Sequence, residues 1–145
     1  MIARYSLMKV FIQNECGSDL KHFHDEKTLE LKGTTRVSRA YPLPYGFVLN
    51  TTAEDGLNVD CFVITSRPLT TGQVVECDLI GLMEQIEDGK ADHNVLAVLR
   101  GEGAVVNENT RQLLTDFVSH VFDHIPGKRI SVGRFSLVKK ALLRM

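Results

Sequence analysis

An excess of charge of either sign is missing from this 145-residue chain, in which 17 Lys and Arg face 18 Asp and Glu for a formal net charge of −1. A general nucleic-acid binder would carry a clear basic surplus, so that class is set aside. Cysteine is scarce. Cys16, Cys61 and Cys77 are odd in number and contain no CxxC pair, which argues against a disulfide framework and a structural zinc site. They read instead as reduced, mostly buried thiols. No apolar run approaches the roughly 18 residues that span a bilayer. Arg4 and Lys9 near the start are not followed by a continuous apolar stretch or a small-residue cleavage site. A cytoplasmic protein with no membrane partner is therefore expected. Asn50-Thr51-Thr52 fits the glycosylation pattern, which carries little weight without a secretory signal. Repeats, low-complexity tracts and Pro/Ser-rich linkers are absent too, so residues 1–145 read as one domain. There is no Gly-x-x-x-x-Gly-Lys-Ser/Thr loop, and Gly101-Glu102-Gly103 is too short for a dinucleotide fingerprint.

What is present is an ordinary globular composition, 43% hydrophobic and 24% charged. A chain of this length buries roughly 70% of its unfolded surface, enough for a core without covalent staples. The charge is segregated. From Glu54 to Asp92 there are nine acidic and two basic residues, a net of −7, which leaves +6 for the remainder.

Runs rich in β-branched and aromatic residues predict strands at Lys9–Ile12, Thr28–Leu31, Tyr45–Leu49, Val59–Thr65, Val74–Ile80 and Asn94–Leu99. Ser66–Gly72 reads as a loop because Pro68 fixes φ and Gly72 permits a turn. The last third changes period. Leu113, Leu114, Phe117, Val118, Val121, Phe122 and Ile125 follow helical spacing, with Asn109 or Thr110 as the cap and Pro126-Gly127 as the stop. A shorter helix is expected over Phe135–Leu143. Strands first and helices last predict an α+β fold, a compact barrel with helices beside it.

The densest polar feature is Glu54-Asp55-Gly56-Leu57-Asn58-Val59-Asp60, followed later by Glu87-Asp88-Gly89-Lys90-Ala91-Asp92. Asp55, Asp60 and Asp92 at strand ends would repel one another at one point unless a hard, oxygen-preferring cation such as Mg²⁺ or Mn²⁺ lay between them. Spacing alone favours the plainer reading, solvated turn carboxylates. His22 and His24 alternate on one side of a strand, and His93 adjoins Asp92; each is a weaker candidate ligand. His120 and His124 read as helix-face residues. Lys128, Arg129, Arg134, Lys139, Lys140 and Arg144 read as a solvated basic tail.

Three stretches occur in a telling order: Tyr41-Pro42-Leu43-Pro44-Tyr45-Gly46-Phe47-Val48, then Thr51–Val63 with Asp55-Gly56-Leu57-Asn58-Val59-Asp60 inside it, then Arg67-Pro68-Leu69-Thr70-Thr71-Gly72-Gln73-Val74-Val75. Ile80-Gly81-Leu82-Met83, the acidic loop, Val95-Leu96-Ala97-Val98 and His120-Val121-Phe122-Asp123-His124 follow. Over roughly residues 9–130 this series resembles the family I soluble inorganic pyrophosphatases, with their YPxNYGFI, DGDPxDVLV and late HFFxHY motifs. The resemblance implies a small OB-like five-stranded β-barrel with flanking C-terminal helices. It also implies Mg²⁺-dependent (or Mn²⁺-dependent) hydrolysis of diphosphate by a homo-oligomer. By position, Asp55, Asp60, Glu87 and Asp92 correspond to the metal-holding carboxylates. Lys21, Arg36 and Tyr45 correspond to the catalytic phosphate contacts.

Departures from the pattern share a direction. Leu57 stands where the family has the Asp that orients or deprotonates water, and Asn58 where it has Pro. Gln13 and Phe23 replace early glutamates, Asn94 replaces a lysine, Pro44 an asparagine, and Ile125-Pro126 a Tyr-Lys pair. The expectation is impaired hydrolysis. The alternative is an inactive paralogue that binds phosphate, metal or protein.

Overall fold

The computed structural model describes residues 8–52 and 56–137. Within them lie nine strands and one helix: β1 (Met8–Asn14), β2 (Leu20–His24), β3 (Leu31–Arg36), β4 (Tyr45–Val48), β5 (Val59–Val63), β6 (Val74–Glu87), β7 (Lys90–Ala91), β8 (Asn94–Leu99), α1 (Glu108–His120) and β9 (Ile130–Leu137).

Five strands close a ring. β1 pairs with β4, β4 with β5, β5 with β8 in parallel, β8 with β6, and β6 returns to β1. The period-2 alternation of side chains explains what fills it. On β5, Val59, Cys61 and Val63 point into the barrel, together with Val95, Ala97 and Leu99 of β8. The intervening Phe62, Leu96 and Val98 point outward, where Leu114, Phe117 and Val118 of α1 cover them. β8 is therefore buried on both faces and reads as a continuous apolar run. Cys61 and Cys77 are buried and free, as expected. Burial pushes the Cys61 thiol well up and that of Cys77 to about 12, so both behave as apolar filler.

The structure bears out the barrel and corrects the edges of the sequence reading. β6 continues past Ile80 to Glu87, bending at a bulge between Leu79 and Gly81. Thr28–Glu30 is not a strand. It belongs to the tip of the β2–β3 hairpin, where the Asp25 carboxylate accepts from the Lys27 and Thr28 N–H groups at 2.9 Å each. The helix starts at Glu108, capped by the Asn107 side chain accepting from Thr110 N–H at 2.8 Å, and ends at His120 well before Pro126. Phe135–Leu137, expected as the start of a second helix, lies in β9 and pairs with the extended β6. The length of β6 provides a partner edge that local periodicity does not reveal. The rest of that expected helix, 138–143, lies outside the described residues, so α1 is the one helix among those described.

Candidate functional site

A cavity of about 490 Å³ opens between the β2–β3 hairpin, the outer face of the barrel and the segment from Phe117 to Ile130. The fold brings five of the expected site residues to it. Lys21 comes from β2, Tyr45 from the start of β4, Asp60 from β5, Glu87 from the end of β6, and Asp92 from the turn before β8. Asp60 arrives by alternation, since it shares the outward face with Phe62 and its Cα pairs with Asn94 across the parallel β5–β8 ladder.

Lys21 is the centre of the arrangement. Its ammonium lies 5.5 Å from the Phe23 ring centroid, 5.9 Å from Tyr45 and 5.5 Å from Phe122. Burial lowers its pKa, opposed by the charges of Asp60, Glu87 and Asp92. Tyr45 is pushed well above the ordinary phenol range, first by burial and then by Asp60, to which its hydroxyl donates. It is held as a neutral donor.

Asp92 is aimed by a polar chain at the floor of the cavity. Asn94 Nδ2 donates to Gln85 Oε1 at 2.9 Å, and Gln85 Nε2 donates to Asp92 Oδ2 at 3.3 Å. Asn94, at a position where the resemblance pattern has lysine, thus serves as an orienting group. His93 uses Nδ1 to accept from the Gln85 N–H at 3.0 Å. Strand alternation sends Lys21 and Phe23 toward the cavity. His22 bonds Thr34 Oγ1 instead, at 2.8 Å, while the His24 ring packs against Phe11.

One expected residue is not brought in. Arg36, at the end of β3, places Nη1 2.8 and 3.0 Å from the two oxygens of Asp19 and is not part of the cavity wall. Asp55 lies outside the described residues. The donor chemistry of Asp60, Glu87 and Asp92, all hard oxygens, fits Mg²⁺ or Mn²⁺. Among the described residues, however, no three carboxylate, histidine or cysteine side chains are grouped closely enough to hold a metal ion.

One functional candidate was missed in the sequence. Lys128, read there as a solvated tail charge, is only 26% exposed and reaches Glu87 and Asp88 at 3.5 Å each. Its ammonium lies 5.2 Å from the Phe122 ring centroid, on the cavity wall. The available signal was Pro126-Gly127 just before it, a turn that folds the chain back onto the end of β6. Reciprocal bonds between Asp88 and Arg129 fasten that return, Asp88 N–H to Arg129 O at 2.8 Å and Arg129 N–H to Asp88 Oδ1 at 2.9 Å.

The hairpin carrying Lys21 is tied to the barrel by Asn14, which is fully buried. Its Oδ1 accepts from the His22 N–H at 2.7 Å, and its Nδ2 donates to the Tyr41 hydroxyl at 3.1 Å. Asn14→Ala leaves both partners unmatched and is expected to cost about 1–3 kcal/mol in urea unfolding. An unchanged midpoint would show that the anchor is not needed.

The inorganic pyrophosphatase family matches residues 2–126. The inorganic pyrophosphatase of Mycoplasma pneumoniae is 30% identical over 124 residues, covering 83% of this chain and 65% of that protein. That of Mycoplasma genitalium is 32% identical over 96 residues, covering 64% of this chain and 52% of the relative. The chain thus spans less than two thirds of the length of these two relatives. The crystal structure of the Thermus thermophilus inorganic pyrophosphatase superposes with a TM-score of 0.84 at 26% identity, covering 94% of this chain and 85% of that one. A family match over most of the chain, on a barrel that gathers Lys21, Tyr45, Asp60, Glu87 and Asp92 at one cavity, establishes that this chain belongs to the inorganic pyrophosphatase family.

Proposed function

We propose that the cavity binds diphosphate together with Mg²⁺ (or Mn²⁺) and directs its hydrolysis to two phosphates, at a rate reduced by Leu57. The observation that carries this reading is the convergence of two ammonium groups, Lys21 and Lys128, with Tyr45 and three carboxylates on one cavity. Two positive and three negative side chains leave that cavity net negative. A polyanion therefore enters favourably only with divalent cations. Asp60, Asp92, Glu87 and, from outside the described residues, Asp55 are the groups that would hold them. Such a cation, when bound, offsets substrate charge and acidifies water.

The chain's own residues do the rest. Lys21 and Lys128 grip phosphate oxygens with charge-assisted bonds, and the neutral Tyr45 hydroxyl adds a donor. Rings around Lys21 exclude water and strengthen the attraction. Leu57 favours a second reading, a non-catalytic paralogue that binds without turnover, because a hydrocarbon can neither orient nor deprotonate water. Cytoplasmic location and a homo-oligomeric state belong to the same proposal, and light scattering on a sizing column tests the latter.

Calorimetric titration tests the binding step. Diphosphate is expected to bind in Mg²⁺ and at least about tenfold more weakly without it, and Lys128→Ala is expected to weaken the Mg²⁺-supported binding about tenfold, the scale of one charged hydrogen bond. Equal binding with and without Mg²⁺ would contradict the charge argument.

A further inference from the structure

The polar groups account for only part of the cavity wall. Phe23, Val37, Val121, Phe122, Ile125 and Ile130 also line it. Phe23 and Ile125 remain 43% and 42% exposed although both are large hydrocarbons. These are positions at which the resemblance pattern carries Glu and Tyr, so both departures convert polar wall into apolar wall. The apolar surface is continuous with the phosphate grip, because the Lys21 ammonium lies 5.5 Å from the centroids of both the Phe23 and Phe122 rings.

Bare diphosphate has no apolar surface to bury there. At about 490 Å³, the cavity falls in the roughly 300–1,000 Å³ range of sites for organic ligands. We infer that the site takes a diphosphate ester bearing an apolar organic group, with the diphosphate on Lys21 and Lys128 and the organic end against Phe23, Phe122 and Ile125. This rests on the reading of the cavity as a diphosphate site and names its substrate class. In the reaction, the oxygen of water bonds to the terminal phosphorus and the bridging P–O bond breaks. The organic monophosphate leaves with the electron pair, one water proton stays on the released phosphate, and the other passes to solvent.

The test is calorimetry in Mg²⁺ with inorganic diphosphate, methyl diphosphate and phenyl diphosphate as probes. Phenyl diphosphate is expected to bind at least about tenfold more tightly than methyl diphosphate, the effect of burying one ring face at this scale of apolar area. In Phe23→Ser and Ile125→Ser, each checked for folding by thermal melting, the phenyl-to-methyl ratio is expected to fall toward one. Equal affinities in the natural protein, or an unchanged ratio in both variants, overturn the inference while leaving the diphosphate site intact. A change of oligomeric state in the variants without a change in ratio overturns it as well, by assigning these side chains to a contact between copies. Failure of all three probes to bind overturns the diphosphate site itself.

Discussion

Leu57→Asp is expected to raise the rate of phosphate release from diphosphate in Mg²⁺ by about a hundredfold or more, since a positioned general base contributes roughly 10²–10⁴. Five of the other expected site residues are already gathered, although Leu57 itself is not among the residues that line their cavity. Lys21, Tyr45, Asp60, Glu87 and Asp92 line one cavity, and Asp92 is oriented through Gln85 and Asn94. Leu57 is 52% exposed, so the substitution disturbs no core, and surface changes of this kind usually stay within about 0.5 kcal/mol. The loop is also anchored independently of that side chain. The Asn58 N–H donates to Glu26 Oε1 at 2.8 Å, and Asn58 Oδ1 accepts from the Thr51 N–H at 3.2 Å. Asn58, which replaces a proline of the pattern, thereby fastens the loop to the tip of the β2–β3 hairpin. A stopped assay on matched protein checks the gain. No gain with a preserved melting temperature would show that more than the base is missing.

Gly46→Ala is expected to destabilise the protein by about 3 kcal/mol or more, beyond the usual overpacking cost, and to lower the melting temperature by roughly 6–12 °C. Gly46 lies in β4 between two neighbours, opposite Ile12 of β1 and Cys61 of β5. A Cβ there would fall on the Phe11 carbonyl, and the Gln13 nitrogen lies 3.2 Å away. Both are backbone atoms, so no rotamer change relieves the clash. The strand itself must move, and it carries Tyr45 into the cavity, so diphosphate binding is expected to fall as well. Gly33→Ala is the control, because a Cβ at that exposed β3 position meets nothing within 4 Å. Thermal melting that shows equal losses for the two variants would contradict the close approach of β1 and β4.

The barrel was legible because its strands follow simple physics. Alternation separates Cys61 and Val63 from Phe62, and β8 is apolar on both faces. What failed depended on distant partners. Phe135–Leu137 carries no decisive period, and its strand state is set by pairing with β6. The helix cap moved to Asn107 because Asn107-Glu108-Asn109-Thr110 offers competing caps, of which only the first reaches the Thr110 N–H. Spacing could not separate Asp60 and Asp92 from solvated turn residues; the family resemblance named them. Lys128 escaped because a lysine after a turn ordinarily lies in water, and only the folded return to β6 buries it against Glu87. Gln85 carried no sequence signal and Asn94 only that of a replaced lysine, since buried amides gain a role only from the carboxylate they orient.

Release of phosphate from Mg²⁺-diphosphate by the natural sequence, measured beside Asp60→Ala, tests the central claim most directly. Asp60 faces the cavity with Lys21 and accepts from Tyr45. Its removal leaves no substitute at that position. Turnover that is slow but measurable in the natural protein, and at least about a hundredfold lower in Asp60→Ala, is the predicted result. Indistinguishable rates from the two proteins would contradict the account of this cavity as a hydrolytic site and leave the non-catalytic reading in its place.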